Sequence, residues 1–323
     1  MTAQASAGPS DVSGETRNAK KRLDKAYRRE WAFFVVPTFL FLIITGIFPL
    51  IASVYTGFFQ VRRGEQVFVG LKHYDWALRD DVFWTSTLNS FIFTGGTVLG
   101  HLMIGLTFAL LLNSAKTWQS FWRGMQFIPW LFPPAAVSIL WILIYQDQFG
   151  LLNSFLREVG LAGWTLNWLG EPSTALAAVT AASIWNWYPF LTLVLLAALQ
   201  NVPDELYEAM EVDGGSSWDK FRLVTLPHLA PVMLTACLLD FFWTFRFFDM
   251  TWIMTKGGPG RSSEVLATHL YKLAFQEYRF DRAAAVGGLI LVMMAVLTVL
   301  YLIAYRYVDN STGKRSEAAK EAV

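Results

Sequence analysis

Cysteine is almost missing from this chain: Cys237 is the one thiol in 323 residues, and it sits in an apolar run. A single thiol forms neither an intrachain disulfide nor a multi-cysteine metal site, so it reads as a small buried hydrophobe rather than a reactive group. The four histidines are too scattered for metal-ligand spacing, which leaves no metal site in the sequence. No G-x-x-x-x-G-K-[ST] run occurs, so the chain has no phosphate cradle with which to bind and hydrolyse ATP itself. No Ser/His/Asp grouping exceeds chance, which argues against an enzyme. Charge is also scarce, at 16% of residues with a net +1, and no basic patch is dense enough to track a phosphate backbone. Nucleic acid is therefore excluded as a partner. The amino terminus carries charge but no early apolar core, as a cleaved signal peptide would need.

What the chain has in abundance is hydrophobic residues, 54% of the total, with a mean hydropathy of +0.38. That profile indicates a protein embedded in membrane lipid. Crossing about 30 Å of hydrocarbon takes roughly 20 apolar residues in a helix, and six windows meet the requirement. They run over 31–61, 82–115, 124–146, within 172–203, 229–255 and 283–305, the fifth being interrupted by Asp240, Arg246 and Asp249. An even number of spans places both termini on one side. The segments on that side, including the Lys- and Arg-rich stretch before Trp31, carry 15 of the 26 basic residues, against 10 in the opposite loops. The positive-inside rule then makes both termini cytoplasmic. The expected organisation is a cytoplasmic tail over 1–30, a membrane domain over 31–306 and a second cytoplasmic tail over 307–323.

Between the fourth and fifth windows lies a polar island, a cytoplasmic loop over 201–230. Pro203, Asp204 and Glu205 suit the first turn of a helix that should stop at Gly214-Gly215. Ser216 with Asp219 three residues later resembles a capping box, which predicts a second short helix from about Ser217 to Thr225, ending before Pro227 and displaying Trp218 and Phe221. Two short helices bent at a glycine pair, with aromatics at i and i+3, make a projection suited to a groove on another protein.

The spacing Glu208-Ala209-Met210, Gly214, Val224, Leu226-Pro227 resembles the cytoplasmic signature of permease subunits of binding-protein-dependent ABC importers. Met210 stands where the family has a second Ala. Further landmarks resemble the maltose-type carbohydrate permeases: the 37–58 segment with Pro49, Phe68-Val69-Gly70-Leu71-Lys72-His73-Tyr74, Gly150-Leu151-Leu152-Asn153 and Thr255-Lys256-Gly257-Gly258-Pro259. The external Gly-Gly-Pro is similar to that of the first of two paired permeases. The resemblance spans about residues 30–306. It implies an all-α polytopic fold of six transmembrane helices, the type I importer transmembrane domain, with Glu208, Ala209, Met210, Asp213, Gly214, Gly215, Trp218, Phe221, Leu226 and Pro227 forming the coupling helix that docks on an ATPase subunit. It also implies the partners: a second homologous permease, two ATP-binding subunits that hold ATP and Mg, and an extracytoplasmic binding protein facing Gly257, Gly258 and Pro259.

Ionisable residues inside a bilayer face a bundle interior or a watery cavity. Arg246 and Asp249, three apart, are expected on one helical face, either as a structural ion pair or as a polar wall of the translocation path. Asp240, deeper, is expected to bond a neighbouring span or a permeant hydroxyl. A sugar path needs flat aromatic faces and fixed hydrogen-bonding groups. Asn186, Trp187 and Tyr188, in the run Trp185-Asn186-Trp187-Tyr188-Pro189, offer both, although in the outer half of their window they also fit an interfacial aromatic belt. Phe127, Pro129, Trp130 and Pro133-Pro134 are placed to bend the third span around a cavity. His101, alone in the second span, reads as a bonded packing residue, and Gly95, Gly96, Gly100 and Gly105 as close helix contacts.

These readings converge on ATP-driven import of a mono- to oligosaccharide across the inner membrane. The alternatives are the same architecture carrying a glycerol phosphodiester or phosphorylated polyol, a secondary transporter without an ATPase partner, and, more distantly, an intramembrane enzyme.

Overall fold

The computed structural model describes residues 31–321, except 32, 34, 63, 64, 115 and 116. The amino-terminal tail expected over 1–30 lies outside the described residues. The described residues fall into two compact units, one up to Thr56 and the other from Gly57 onward. In the first, α1 (Val35–Thr56) is a membrane-length helix that carries a π turn at Ile43–Ile47. Pro49 has no N–H to offer the carbonyl four residues back, and the widened turn just before it absorbs the mismatch. Phe48 N–H accordingly reaches Ile43 O, five residues back.

The second unit begins with a feature the sequence did not disclose. The first apolar window was expected to run to Val61, but the helix ends at Thr56 and an antiparallel hairpin follows, β1 (Phe59–Arg62) with β2 (Glu65–Phe68), in the register Phe59↔Phe68 to Arg62↔Glu65. Phe59 and Phe68 meet edge to face at 5.4 Å. Helix α2 (Lys72–Arg79) then lies against the last helix, where His73 Nε2 is 3.4 Å from Asp281 and the Arg282 guanidinium sits 4.2 Å over the Trp76 ring.

The frame of this unit is α3 (Asp81–Ser114) packed along α8 (Ala175–Leu199). Glycines make their approach close. A Cβ at Gly96 would lie 3.3 Å from Thr180, one at Gly100 would lie 2.4 Å from Ile184 Cδ1, and one at Gly105 would meet the Thr192 backbone N at 3.1 Å. Gly95 faces open space and takes no part.

The third window does not form one continuous helix. It is broken into α4 (Gln119–Gln126), α5 (Ile128–Leu131) and α6 (Pro134–Ile144). Phe132 and Pro133 are extended, since a residue before proline avoids the helical region. Helix α7 (Leu151–Glu158) follows, and the buried Asn153 ties its loop down: Nδ2 donates to Asp147 O and Leu166 O, while Oδ1 accepts from Trp168 Nε1 at 2.9 Å.

After α8 come α9 (Asp204–Val212), α10 (Ser217–Phe245), α11 (Asp249–Thr255), α12 (Leu266–Tyr271) and α13 (Phe280–Glu321). Residues 307–321, read as a tail, continue α13 as helix. Among the described residues five helices are long and apolar enough to cross a membrane: α1, α3, α8, α10 and the 280–303 part of α13. The broken α4–α6 segment occupies the place of the sixth. Three buried apolar clusters hold the second unit. One centres on Phe93, Val179 and Met250, one on Phe83, Phe245 and Leu266, and one on Leu191, Leu195 and Leu229.

Candidate functional site

The polar island folds as two helices about a glycine joint. Pro203 and the acids of the first turn open α9, and the helix stops at Gly214, whose φ is +76°. The stop is a Schellman motif: Gly215 N–H donates to Met210 O at 2.8 Å and Gly214 N–H to Glu211 O at 3.0 Å. At Ser216 the expected capping box is present, with Asp219 N donating to Ser216 Oγ and Ser216 N donating to Asp219 Oδ2 at 2.9 Å. Two further bonds brace the joint, an ion pair between Lys220 and Glu211 and a hydrogen bond at 3.0 Å between the Tyr207 and Thr225 hydroxyls. Glu208, Ala209, Asp213, Gly214, Trp218 and Pro227 are exposed, while Met210, Gly215, Phe221 and Leu226 are half-buried. Trp218 and Phe221 pack at 5.4 Å, and Trp218 (65% exposed), Leu223 and Val212 present apolar surface that no described residue covers.

The second helix differs from expectation in one respect. It does not end before Pro227 but runs on as α10 through Lys220–Thr225, a π turn, to Phe245. Leu226 N–H reaches back five residues to Phe221 O, and Pro227 falls in the first turn of the α-helical stretch that begins at Leu226, where its missing N–H costs little. The projecting element and the fifth span are therefore one helix.

At its far end α10 breaks. Arg246 caps it with φ −92°, and Asp249 opens α11. The two residues do not share a helical face as three-residue spacing suggested, because the helix is interrupted between them, and no ion pair joins them among the described residues. Both are exposed and both line a cavity of about 570 Å³, walled by Trp130, Trp187, Phe190, Trp243, Phe247 and Phe248. Trp187 is the central residue of the 25-residue α8. Its ring lies 6.4 Å from Trp130 and 6.5 Å from Trp243, and its indole N–H is buried without a partner among the described residues. Sequence reasoning passed over Trp243, Phe247 and Phe248 as wall residues. The available signal was that these aromatics flank the one arginine in the span.

Three other candidates fall elsewhere. Asn186 is buried and its Nδ2 donates to Pro129 O at 2.7 Å, which fixes the broken third span against α8. Tyr188 stacks on Phe108 at 5.4 Å, away from the aromatic cavity. Asp240 bonds a neighbouring span. His101 Nδ1 lies 2.8 Å from Asp240 Oδ2, His101 Nε2 lies 3.3 Å from Ser183 O, and Thr244 Oγ1 donates to Asp240 Oδ1, so α3, α8 and α10 are tied at one buried point.

The Gly257-Gly258-Pro259 loop is a compact knot. Lys256 and Gly257 have positive φ, and Ser263 Oγ bonds both Thr255 Oγ1 at 2.7 Å and Gly258 O at 2.6 Å. Beneath it the buried Glu264 carboxylate meets His269 Nδ1 at 3.1 Å and Lys272 Nζ at 2.7 Å. Burial alone would raise this carboxyl, but the hydrogen bonds and charges of His269 and Lys272 outweigh it and hold Glu264 below the ordinary range.

Residues 101–314 match the family described as binding-protein-dependent transport system inner membrane component. The chain belongs to this family. The trehalose/maltose transport system permease protein MalF of Thermococcus litoralis is 36% identical over 74% of this chain and 80% of its own length. A probable ABC transporter permease, YurN of Bacillus subtilis, is 31% identical over 83% and 93%, and the lactose permease LacF of Rhizobium radiobacter is 30% identical over 89% and 98%. Among solved structures, a chain of a bacterial ABC transporter that imports alginate superposes with a TM-score of 0.77 over 88% of this chain and 99% of that one, at 22% identity. The permease is thus an inner-membrane transport component with the type I importer fold.

Proposed function

We propose that this permease moves a sugar, delivered by an extracytoplasmic binding protein, into the cytoplasm by ATP-driven alternating access. The observation that carries the reading is the Glu208–Pro227 element. It is a braced helical joint with uncovered Trp218, Leu223 and Val212, continuous with a membrane span, and so suited to receive motion from a partner. Relatives named for maltose, trehalose and lactose support the substrate class. The aromatic cavity supports it chemically: ring faces for sugar C–H surfaces, with the Trp187 indole N–H, Arg246 and Asp249 for hydroxyls. The chain itself performs no catalysis. ATP and Mg belong to two ATP-binding subunits, one of which docks on the element, a second homologous permease completes the path, and both termini are cytoplasmic. The Gly257–Pro259 loop faces the binding protein.

A second reading keeps the importer and changes the cargo. Arg246 has no ion pair among the described residues, which favours an anionic sugar, a glycerol phosphodiester or a phosphorylated polyol. The test is recovery of the chain from its native membrane in mild detergent with mass-spectrometric identification of what accompanies it. A second permease and an ATPase are expected. The chain alone, from a preparation that keeps other complexes intact, would favour a transporter without a motor. Screening the co-recovered binding protein against neutral and anionic sugars decides between the two cargoes.

A further inference from the structure

A second cavity, of about 400 Å³, lies between α4, the carboxyl-terminal part of α3 and the middle of α8. Its wall is mostly apolar, formed by Phe108, Leu111, Leu112, Trp122, Met125 and the Tyr188 ring, and three of these residues stand well exposed: Leu111 at 58%, Trp122 at 52% and Met125 at 47%. Two polar groups break the wall, the Tyr188 phenol and the Gln126 amide. Gln126 is 6% exposed, lines the cavity, and among the described residues has no hydrogen-bond partner for either its amide oxygen or its amide nitrogen. A buried amide with both ends unpaired is costly unless a ligand satisfies it. Three residues earlier on the same helix, Arg123 has its Nε buried and unpartnered, and it joins no ion pair among the described residues.

We infer that this cavity is a binding site for one anionic phospholipid of the cytoplasmic leaflet. An acyl chain fills the apolar hollow, the glycerol ester region meets the Gln126 amide, and the phosphate lies on Arg123. The chemistry is additive along α4. A guanidinium recognises phosphate bidentately, and basic residues between helices at the cytoplasmic face bind anionic head groups. An amide that both donates and accepts matches an ester and hydroxyl level, while an aliphatic and aromatic wall matches hydrocarbon. A free sugar fits less well, because a wall with one amide and one phenol leaves most of its hydroxyls unpaired. The leaflet assignment rests on the importer reading, which places the 115–123 loop in the cytoplasm. The lipid site itself rests only on the cavity, the unpartnered Gln126 that lines it, and Arg123 one turn away on the same helix.

The experiment uses the purified assembly in phosphatidylcholine nanodiscs doped with a phosphatidylglycerol that carries a photoreactive group in its acyl chain. Irradiation is expected to label peptides containing Phe108–Leu112 or Trp122–Gln126, and unlabelled phosphatidylglycerol should compete where phosphatidylcholine does not. Arg123→Gln and Gln126→Leu should each reduce that label about tenfold, the loss of one charge-assisted or one buried hydrogen bond. Labelling spread evenly over the lipid-facing helices, or competed equally by the neutral lipid, would overturn the site. So would protection of these peptides by another polypeptide cross-linked over the cavity. The competition arm uses unaltered protein, so it decides the question even where a variant fails to fold. Sidedness is read separately by placing a cysteine at the exposed Ser120, in a Cys237→Ser background, and treating whole cells with an impermeant maleimide. Protection supports the cytoplasmic leaflet. Labelling from outside would overturn the leaflet and the importer orientation while the lipid map stands on its own.

Discussion

A side chain at Gly214 would have to adopt a φ of +76°, whereas one at Gly215 would place its Cβ 2.8 Å from Met210 Cε and 2.9 Å from Met210 O. The first position is restricted by backbone sterics, the second by space. Gly214→Val should therefore cost about 1–2 kcal/mol locally and misalign α9 with Trp218. The expected result is loss of substrate-stimulated ATP hydrolysis in the reconstituted assembly with membrane insertion unchanged; unaltered stimulation would count against docking at this element. At the His101–Asp240 tie, removing one partner strands a buried polar group. Asp240→Ala should lower stability by about 3–5 kcal/mol, measured as a large drop in the melting temperature of the purified assembly. Glu264 gives a pH effect of definite sign. Its folded-state pKa is depressed below the ordinary 4.5. Its contribution is therefore fully present above that value and is lost as pH falls through the lower folded one. Amide exchange in the 256–264 loop should rise below about pH 4.5, and Glu264→Gln should remove that step.

Elements were unequally legible. The second, fourth and sixth spans followed from charge-free length alone, and the Ser216 cap and the Gly214 stop from local chemistry that is complete within a few residues. The continuation of the second cytoplasmic helix through Pro227 was not legible. Proline normally reads as a helix stop, and a π turn leaves no hydrophobic period of its own. The β1–β2 hairpin escaped for a similar reason, since four-residue strands are too short to display an alternation. Arg246 and Asp249 looked paired because spacing assumes an unbroken helix, and the break at 246–248 appears only once the chain has folded. The glycines of α3 supply a test at this scale. Gly100→Leu should wedge α3 from α8 at Ile184 and cost about 1–3 kcal/mol. Gly95→Ala, facing open space, should be neutral or stabilise by up to about 1 kcal/mol. Equal effects on melting temperature would mean that the two helices are not packed through Gly100.

For the molecule as a whole, the aromatic cavity and the docking element stand at opposite ends of one helix, α10. Arg246→Gln and Trp187→Ala are each expected to lower transport in proteoliposomes more than about tenfold while leaving recovery of the assembly unchanged. Retained transport in both would place the path elsewhere. The π turn at Lys220–Thr225 and the prolines at 227 and 231 deprive the cytoplasmic end of α10 of regular backbone bonds, whereas Pro231 to Phe245 is uninterrupted helix. Such a helix is a lever with its joint at the motor end. At 1.5 Å per residue the arm is about 22 Å long, so a swing of about 10° carries its tip, at Arg246, through about 4 Å. That stroke exceeds the reach of a hydrogen bond, so a modest tilt at the membrane surface is enough to deliver the Arg246 guanidinium to a passing solute or to withdraw it.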